Sequence, residues 1–327
     1  MSDNYTITQA IEKYLRSVEQ ARSSNTVKTY RNGLQNFLDT LNSHKIRPES
    51  VLVMDLSEDS IAWLAEDLKT ESPATERLYL TAVSGFFEFL AAEKLAEVNL
   101  PRIRLLIRQR ARRPGIRLPQ FPKEDIEKVL EFAERLNRVQ TGDDAERLRN
   151  LRDRAFLLTL ADTGLRVHEA CQLRRGDLDW NEGRAIIIGK GDKQAIVRFS
   201  RRSQVALKDY LSLRASLDGS SGKPLGSMPL FARHDKGAGK KVKPITTTTG
   251  RNIVSERVQQ CLGVDSVGRI TPHSFRHYFV TRVLQSSGNL KLAQELARHS
   301  NIAVTQRYAH LNDNELDEGY WEVFEEK

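Results

Sequence analysis

The sequence has little that would indicate a secreted, membrane-bound or metal-binding protein. Its 327 residues include only two cysteines, Cys171 and Cys261, far apart and without the partner spacing of a zinc site or a redox pair. We expect both to be core residues, because free cysteine is among the most buried residue types. No apolar run has the length of a signal peptide or a membrane span. We therefore expect a cytoplasmic protein with no membrane partner, no metal and no cofactor.

Acidic residues are missing from residues 98–122, "VNLPRIRLLIRQRARRPGIRLPQFP", although the whole chain contains 43 of them. The chain carries 51 lysines and arginines and a net charge of +8, and basic proteins of this kind commonly bind polyanions. A run of like charge is more often a solvated strand. The complete lack of acid favours a linker over 101–122 that follows a phosphate backbone. Its candidate DNA contacts are Arg102, Arg104, Arg108, Arg110, Arg112 and Arg113, and a loop rich in lysine and glycine adds Lys240 and Lys241.

Residues 1–100 have the apolar spacing of a small helical bundle. Apolar residues recur every three or four positions after Asn25, a plausible helix cap, and the same pattern precedes it from Ile7. A shorter pattern follows at residues 57–68, and Ser72 with Pro73 forms a cap and first-turn pair for another helix. The sequence therefore predicts about four helices in a first domain.

Residues 123–312 predict a second domain that is mainly helical. Gly164 ends a long helix, because glycine adopts the left-handed conformation at little cost. Two short runs rich in β-branched residues, "RAIIIGK" and "QAIVRFS", are separated by Gly191-Asp192-Lys193, which indicates a hairpin. The fold class expected is mainly α with a small β-hairpin sheet, followed by a tail helix over 313–327.

Four clusters in the second domain carry chemically useful side chains. "TGLRVHE" places Arg166 at the start of a helix, where free N–H groups and the dipole favour an anion. "GKGDK" places Lys190 at a hairpin tip, and "TPHSFRH" places His273 and Arg276 three residues apart. "RHSNIAVTQRYAHL" contains His299 and, shortly after it, Tyr308. Each alone has an ordinary explanation: a surface ion pair, a satisfied core histidine, an exposed lysine or a packing tyrosine.

Together these residue types match the requirements of metal-free attack on a phosphodiester. A tyrosine hydroxyl is a weak nucleophile with a reference pKa near 10, so it needs a base. Guanidinium groups bind non-bridging phosphate oxygens and offset the charge of the transition state. A lysine on a hairpin can protonate the leaving oxygen. Arginines would then do what a metal ion does elsewhere.

The order and spacing of these motifs resemble the tyrosine recombinases, above all the Xer and phage-type integrase group. The matching segments are "TGLRVHEACQL", "IIGKGDKQAIVRF", "TPHSFRHYFVTRVLQ" and "LARHSNIAVTQRYAHL", and the helical first domain resembles the core-binding domain of that family. The resemblance makes Arg166 and Arg276 the phosphate-binding pair, with Glu169 supporting the first arginine. It assigns proton transfer at the nucleophile to His273 and a hydrogen bond to the phosphate to His299.

The resemblance also makes Tyr308 the nucleophile and Lys190 the general acid, although Lys193 on the same tip is a rival. One departure is that Ala297 and Arg298 stand where relatives have Leu-Gly. The resemblance further implies two domains that clamp double-stranded DNA at a specific core site, a 3′-phosphotyrosyl intermediate formed without ATP, and a homo-tetramer that assembles on DNA.

The tail "NDNELDEGYWEVFEEK" is acidic, and its apolar residues share one helical face. It either packs on its own domain or docks on a neighbouring protomer.

A type IB-like topoisomerase and a non-catalytic DNA-binding accessory protein are the alternative functions. The sequence leaves open the target site, the biological role and the need for an accessory protein.

Overall fold

The computed structural model describes residues 5–112, 122–188, 194–235, 242–306 and 308. By its internal contacts the chain divides into two units, Met1–Ile116 and Arg117–Lys327. Several predicted features fall outside the described residues, namely Arg113, Lys190, Lys193, Lys240, Lys241 and the tail over 313–327.

The first unit is a bundle of amphipathic helices. Apolar faces of four helices meet in one core that includes Phe37, Leu64 and Phe87, none of them exposed to any measurable extent. The second helix is capped by Ser23 rather than Asn25, because the Ser23 hydroxyl accepts a hydrogen bond from the amide of Thr26. The helices are α1 (Ile7–Ala21), α2 (Ser24–Ser43), α3 (Ser60–Asp67), α4 (Pro73–Ala92) and α5 (Leu100–Arg110).

Helix α5 corrects the prediction of a linker that begins at residue 101. Asn99 caps this helix by accepting a hydrogen bond from the amide of Arg102, and Pro101 lies in its first turn. Ile103 is fully buried in the core of the first unit. The arginines and the proline obscure the helical pattern of this segment in the sequence. In the structure Ile103 is buried and Leu106 and Ile107 pack against the same core, which holds the helix on the bundle.

Three arginines of α5, and Arg112 just beyond it, form ion pairs with acids of the same unit. The ion pairs are Arg102 with Asp59 at 2.7 Å, Arg104 with Glu88 at 3.5 Å, Arg110 with Glu66 at 2.6 Å and Arg112 with Glu76 at 2.5 Å. Arg108 is exposed. The acids that the segment itself lacks are therefore supplied by α3, by the residue that precedes it and by α4.

The second unit is built around α7 (Asp144–Thr163), a helix that is buried on almost all sides. Phe156, Leu157 and Leu158 are consecutive and fully buried, which is typical of a central helix. The other helices of the unit are α6 (Lys123–Arg135), α8 (Val167–Gln172), α9 (Arg201–Leu213), α10 (Ala215–Gly219), α11 (Thr247–Leu262), α12 (Pro272–Ser287), α13 (Leu290–Ala297) and α14 (Ile302–Gln306).

Three short strands form one antiparallel sheet in the order β1 (Leu178–Asp179), β2 (Arg184–Ile188) and β3 (Gln194–Arg198). Ile186 pairs with Ile196, so the predicted hairpin is confirmed, with its tip outside the described residues. Strand β1 was not predicted, because two residues are too short to show a pattern. The mainly helical fold class with a small sheet is also confirmed.

Gly164 ends α7 in the left-handed conformation, with φ of 59°, as the sequence predicted. A Cβ atom at this position would lie 2.4 Å from Cδ1 of Phe279. The chain can therefore turn sharply from α7 into α8 only with glycine here.

Cys171 is buried, as predicted, whereas Cys261 is only partly buried against the same core. Both are free thiols. No helix in the described ranges is long and apolar enough to cross a membrane.

Candidate active site

The start of α8 holds an arginine and a buried carboxylate together. Arg166 precedes the first turn, and its backbone amide donates to Oε2 of Glu169 at 2.8 Å. Its guanidinium donates to Oε1 of the same residue at 2.9 Å. The Glu169 side chain is 2% exposed, whereas that of Arg166 is 41% exposed. The carboxylate is thus fixed inside the protein while the guanidinium reaches solvent.

Arg276 joins three segments that are distant in sequence. It lies on α12, one turn after the Thr271 cap and Pro272, and is 2% exposed. Its guanidinium donates to the carbonyl of Gly164, which precedes α8, and to the carbonyl of Ala297, which ends α13. A guanidinium has five N–H donors, so others are left for an anion. Arg276 therefore fixes the relative positions of α8, α12 and α13.

The segment after α13 brings His299 and Tyr308 together. Thr305 is fully buried, and its hydroxyl contacts Nδ1 of His299 at 2.8 Å while its carbonyl accepts from the amide of Tyr308 at 3.0 Å. The two rings lie nearly parallel, with centroids 6.4 Å apart. The short sequence distance between them thus becomes a short distance in space.

His277 is a site residue that the sequence analysis missed. Its Nδ1 contacts the hydroxyl of Tyr308, and its ring packs edge-on against His273 with centroids 4.3 Å apart. His273 is exposed at the start of α12, whereas His277 is only partly exposed. The spacing of four residues from His273 to His277 places both on one helical face, and that spacing was the available signal.

Positive charge dominates the described part of this site. Three guanidinium groups, of Arg166, Arg276 and Arg298, surround the single carboxylate of Glu169. Burial alone would raise the pKa of Glu169, but the backbone amide of Arg166 and the charges of Arg298 and Arg166 outweigh it and lower that pKa. Burial and the neighbouring guanidinium charges lower the pKa of Arg276. An arrangement of this kind attracts a phosphate.

The three histidines are held neutral by the same surroundings. Burial, with the charges of Arg276 and Arg166, lowers the pKa of His273 and brings that of His299 to about 4. Burial, together with His273 and Arg276, lowers the pKa of His277 to about 4. A neutral imidazole can accept a proton, so each ring is in the state that a base requires.

Of the predicted catalytic residues, Arg166, His273, Arg276, His299 and Tyr308 lie in this one cluster. Glu169 lies beneath Arg166, as expected of a supporting residue. Lys190 and Lys193 lie outside the described residues. The described arginines predicted to bind DNA belong to the first unit and were reported with α5.

Comparison with known proteins gives the family. Residues 120–315 match the phage integrase family, and residues 11–94 match the phage integrase N-terminal SAM-like domain. The chain belongs to the phage integrase family, the tyrosine-type site-specific recombinases. It is an enzyme of DNA recombination, and these matches do not favour a topoisomerase or a non-catalytic binding protein.

Individual relatives carry the Xer name. The tyrosine recombinase XerC of Pediococcus pentosaceus is 31% identical over 246 residues, which is 75% of this chain and 74% of the relative. XerC of Thermodesulfovibrio yellowstonii is 28% identical and covers 93% of this chain and 91% of the relative. The fold is also that of the XerH recombinase, solved bound to its difH substrate, with a TM-score of 0.66 and 21% identity over 97% of this chain and 84% of that one.

Proposed function

We propose that this chain cuts and rejoins double-stranded DNA at a specific core site through a covalent bond between Tyr308 and a 3′ phosphate. What supports the proposal is the cluster in which two arginines, three histidines and one tyrosine from three separate segments face one another. Tyr308 is partly exposed and contacts polar rings, so its hydroxyl is not enclosed in an apolar core.

In the proposed cleavage step the Tyr308 oxygen attacks the scissile phosphorus. A new P–O bond forms to the tyrosine while the bond from phosphorus to the 5′ oxygen breaks. Arg166 and Arg276 bind the non-bridging oxygens and offset the charge that grows on them. The leaving 5′ oxygen takes a proton from Lys190, with Lys193 as the alternative donor, and the resulting 5′ hydroxyl is free.

The proton of the tyrosine hydroxyl passes to a neutral histidine. The family resemblance favours His273, whereas direct contact with the hydroxyl favours His277. His299 contributes a hydrogen bond to the phosphate. Rejoining reverses these steps, with a 5′ hydroxyl of another duplex attacking the phosphotyrosyl bond, so no ATP is consumed.

Strand exchange between two duplexes requires four cleavages. We therefore propose that a homo-tetramer assembles on two core sites, with the two units of each chain clamping the DNA. The arginines of α5 and the lysine-rich loop remain the proposed backbone contacts, and the protein is proposed to act in the cytoplasm. An accessory protein is compatible with this scheme.

The test is covalent trapping on a library of nicked duplexes, in which cleavage releases a short fragment and prevents rejoining. Wild-type protein should form an adduct that resists SDS, and sequencing the trapped strands should report the core site. Tyr308→Phe should bind the same duplexes and form no adduct, because the nucleophilic oxygen is absent.

Tyr278→Phe is the matched control, because this tyrosine lies on α12 but its hydroxyl accepts from Arg282. It should form the adduct. An SDS-resistant adduct from Tyr308→Phe would refute the assignment of the nucleophile, and no adduct from wild-type protein on any duplex would refute the proposed cleavage.

A further inference from the structure

Arg298 occupies a backbone conformation that arginine rarely adopts. It ends α13 with φ of 57° and ψ of 45°, in the left-handed region. A residue with a Cβ atom is strained in this region, and glycine is not. Glycine is also what the resembling family has here. An arginine kept in a strained position needs a compensating interaction.

That interaction lies beside the proposed phosphate site. The Arg298 guanidinium donates to Oε2 of Glu169 at 3.1 Å and to the carbonyl of Gly164 at 3.3 Å. These are the acceptors already used by the two phosphate-binding arginines, since Arg166 also donates to Glu169 and Arg276 to Gly164. Arg298 therefore donates to both acceptors, the Glu169 carboxylate and the Gly164 carbonyl.

The two cations on Glu169 differ in their freedom to move. The side chain of Arg298 is 12% exposed, whereas that of Arg166 is 41% exposed. The Arg166 guanidinium donates to Glu169 through Nη1, which leaves its other N–H groups for a phosphate. The buried carboxylate and the phosphate would then share one positive charge, and a buried carboxylate without a full counter-charge is unfavourable.

We propose that Arg298 is a positioning residue that neutralises and fixes Glu169 while the Arg166 guanidinium donates to the scissile phosphate. This inference rests on the proposed function, since it needs a phosphate at Arg166. The backbone amide of Arg166 still donates to Glu169 in that state, so the start of α8 stays in place. Arg298 thereby supplies a second positive charge to the carboxylate.

The experiment measures single-turnover adduct formation on a trapped duplex for four proteins: wild type, Arg298→Gly, Glu169→Gln and the double variant. Glycine suits the left-handed backbone, so a loss in Arg298→Gly reports the missing side chain. Cleavage by Arg298→Gly should be slower by on the order of 100-fold at saturating DNA, because Arg166 is misplaced. Its affinity for the duplex should change much less.

The double variant separates the two ways in which Arg298 could act. A neutral glutamine needs no counter-charge, so Arg298→Gly should slow Glu169→Gln no further. If the two losses multiply, Arg298 binds the phosphate itself and the proposal is overturned. Arg298→Lys should recover part of the rate, since it restores the charge without the planar fork.

Arg154→Ala controls for the loss of a buried ion pair, because its side chain is 10% exposed and binds Asp209 at 2.7 Å outside the site. It should lower the melting temperature without slowing cleavage. If Arg298→Gly loses stability but cleaves at the wild-type rate, the role is structural and the proposal fails. Absence of an adduct from wild type would instead remove the proposed function itself.

Discussion

At the scale of single residues, one turn of helix decides which histidine meets the nucleophile. His273 and His277 share a face of α12, and Nδ1 of His277 contacts the hydroxyl of Tyr308, the proposed nucleophile. Burial lowers the pKa of both rings, with Arg276 and Arg166 adding to the effect at His273 and with His273 and Arg276 adding to it at His277. His277 is therefore placed to accept the tyrosine proton, and His273 lies next to it to receive a proton or to contact the phosphate.

We predict that His277→Gln slows adduct formation by on the order of 100-fold, because glutamine can accept a hydrogen bond but cannot take the proton. Single-turnover trapping at pH 7 measures this rate, with His273→Gln assayed in parallel. A wild-type rate for His277→Gln beside a large loss for His273→Gln would assign the base to His273 and contradict the prediction.

At the scale of elements, helix α5 and the residues after it depend on one buried carboxylate. Glu76 of α4 is fully buried and accepts hydrogen bonds from Lys69, from the Arg112 backbone amide at 2.9 Å and from the Arg112 side chain at 2.5 Å. Burial alone would raise its pKa, but these hydrogen bonds and the lysine charge lower it below 4.5. The end of α5 is thus held by these charged contacts as well as by the apolar packing of Leu106 and Ile107.

We predict that Glu76→Gln lowers the free energy of unfolding of the first unit by about 3 kcal/mol at pH 7. Since the folded-state pKa is depressed, the wild-type contribution is complete above the unfolded value of 4.5 and is lost as pH falls through the folded value. Urea unfolding, followed by peptide-resolved hydrogen exchange, measures this free energy. The values for wild type and Glu76→Gln should converge at acidic pH.

Glu93→Gln is the matched control, because Glu93 also pairs with a lysine but is 46% exposed. Its loss should stay under about 1 kcal/mol. An equal loss in both variants, or a difference between wild type and Glu76→Gln that persists at low pH, would contradict the role given to Glu76.

At the scale of the whole molecule, recombination needs several active sites to act in order. The acidic tail over 313–327 has an apolar stripe formed by Leu316, Tyr320 and Phe324 if it is helical. We propose that it docks on a neighbouring protomer, because seven acids make it a poor ligand for DNA.

We predict that removing residues 313–327 abolishes recombination between two sites and leaves binding to a single site intact. Gel-shift titration measures the binding, and a two-site plasmid measures the recombination. Glu315→Gln, which keeps the apolar stripe, should recombine normally. A truncated protein that recombines as the full chain does would show that the tail is dispensable.

Sequence alone determined the features that depend on local chemistry. The helix stop at Gly164, the Thr271 and Pro272 start of α12 and the presence of a hairpin follow from conformational preferences of a few adjacent residues. The motifs also named five residues of the cluster, because phosphoryl chemistry restricts which residue types can serve, and the roles of those residues stay predictions.

Only the tertiary structure decided how those residues are distributed around the site. The ion pairs that fix α5 join residues up to 44 positions apart, as with Arg110 and Glu66. Arg298 reaches Glu169 across 129 positions, and His277 meets Tyr308 because the chain beyond α14 returns to α12. Local propensity carries no information about such pairings, since they form when separate helices pack and bring buried charges within reach of one another.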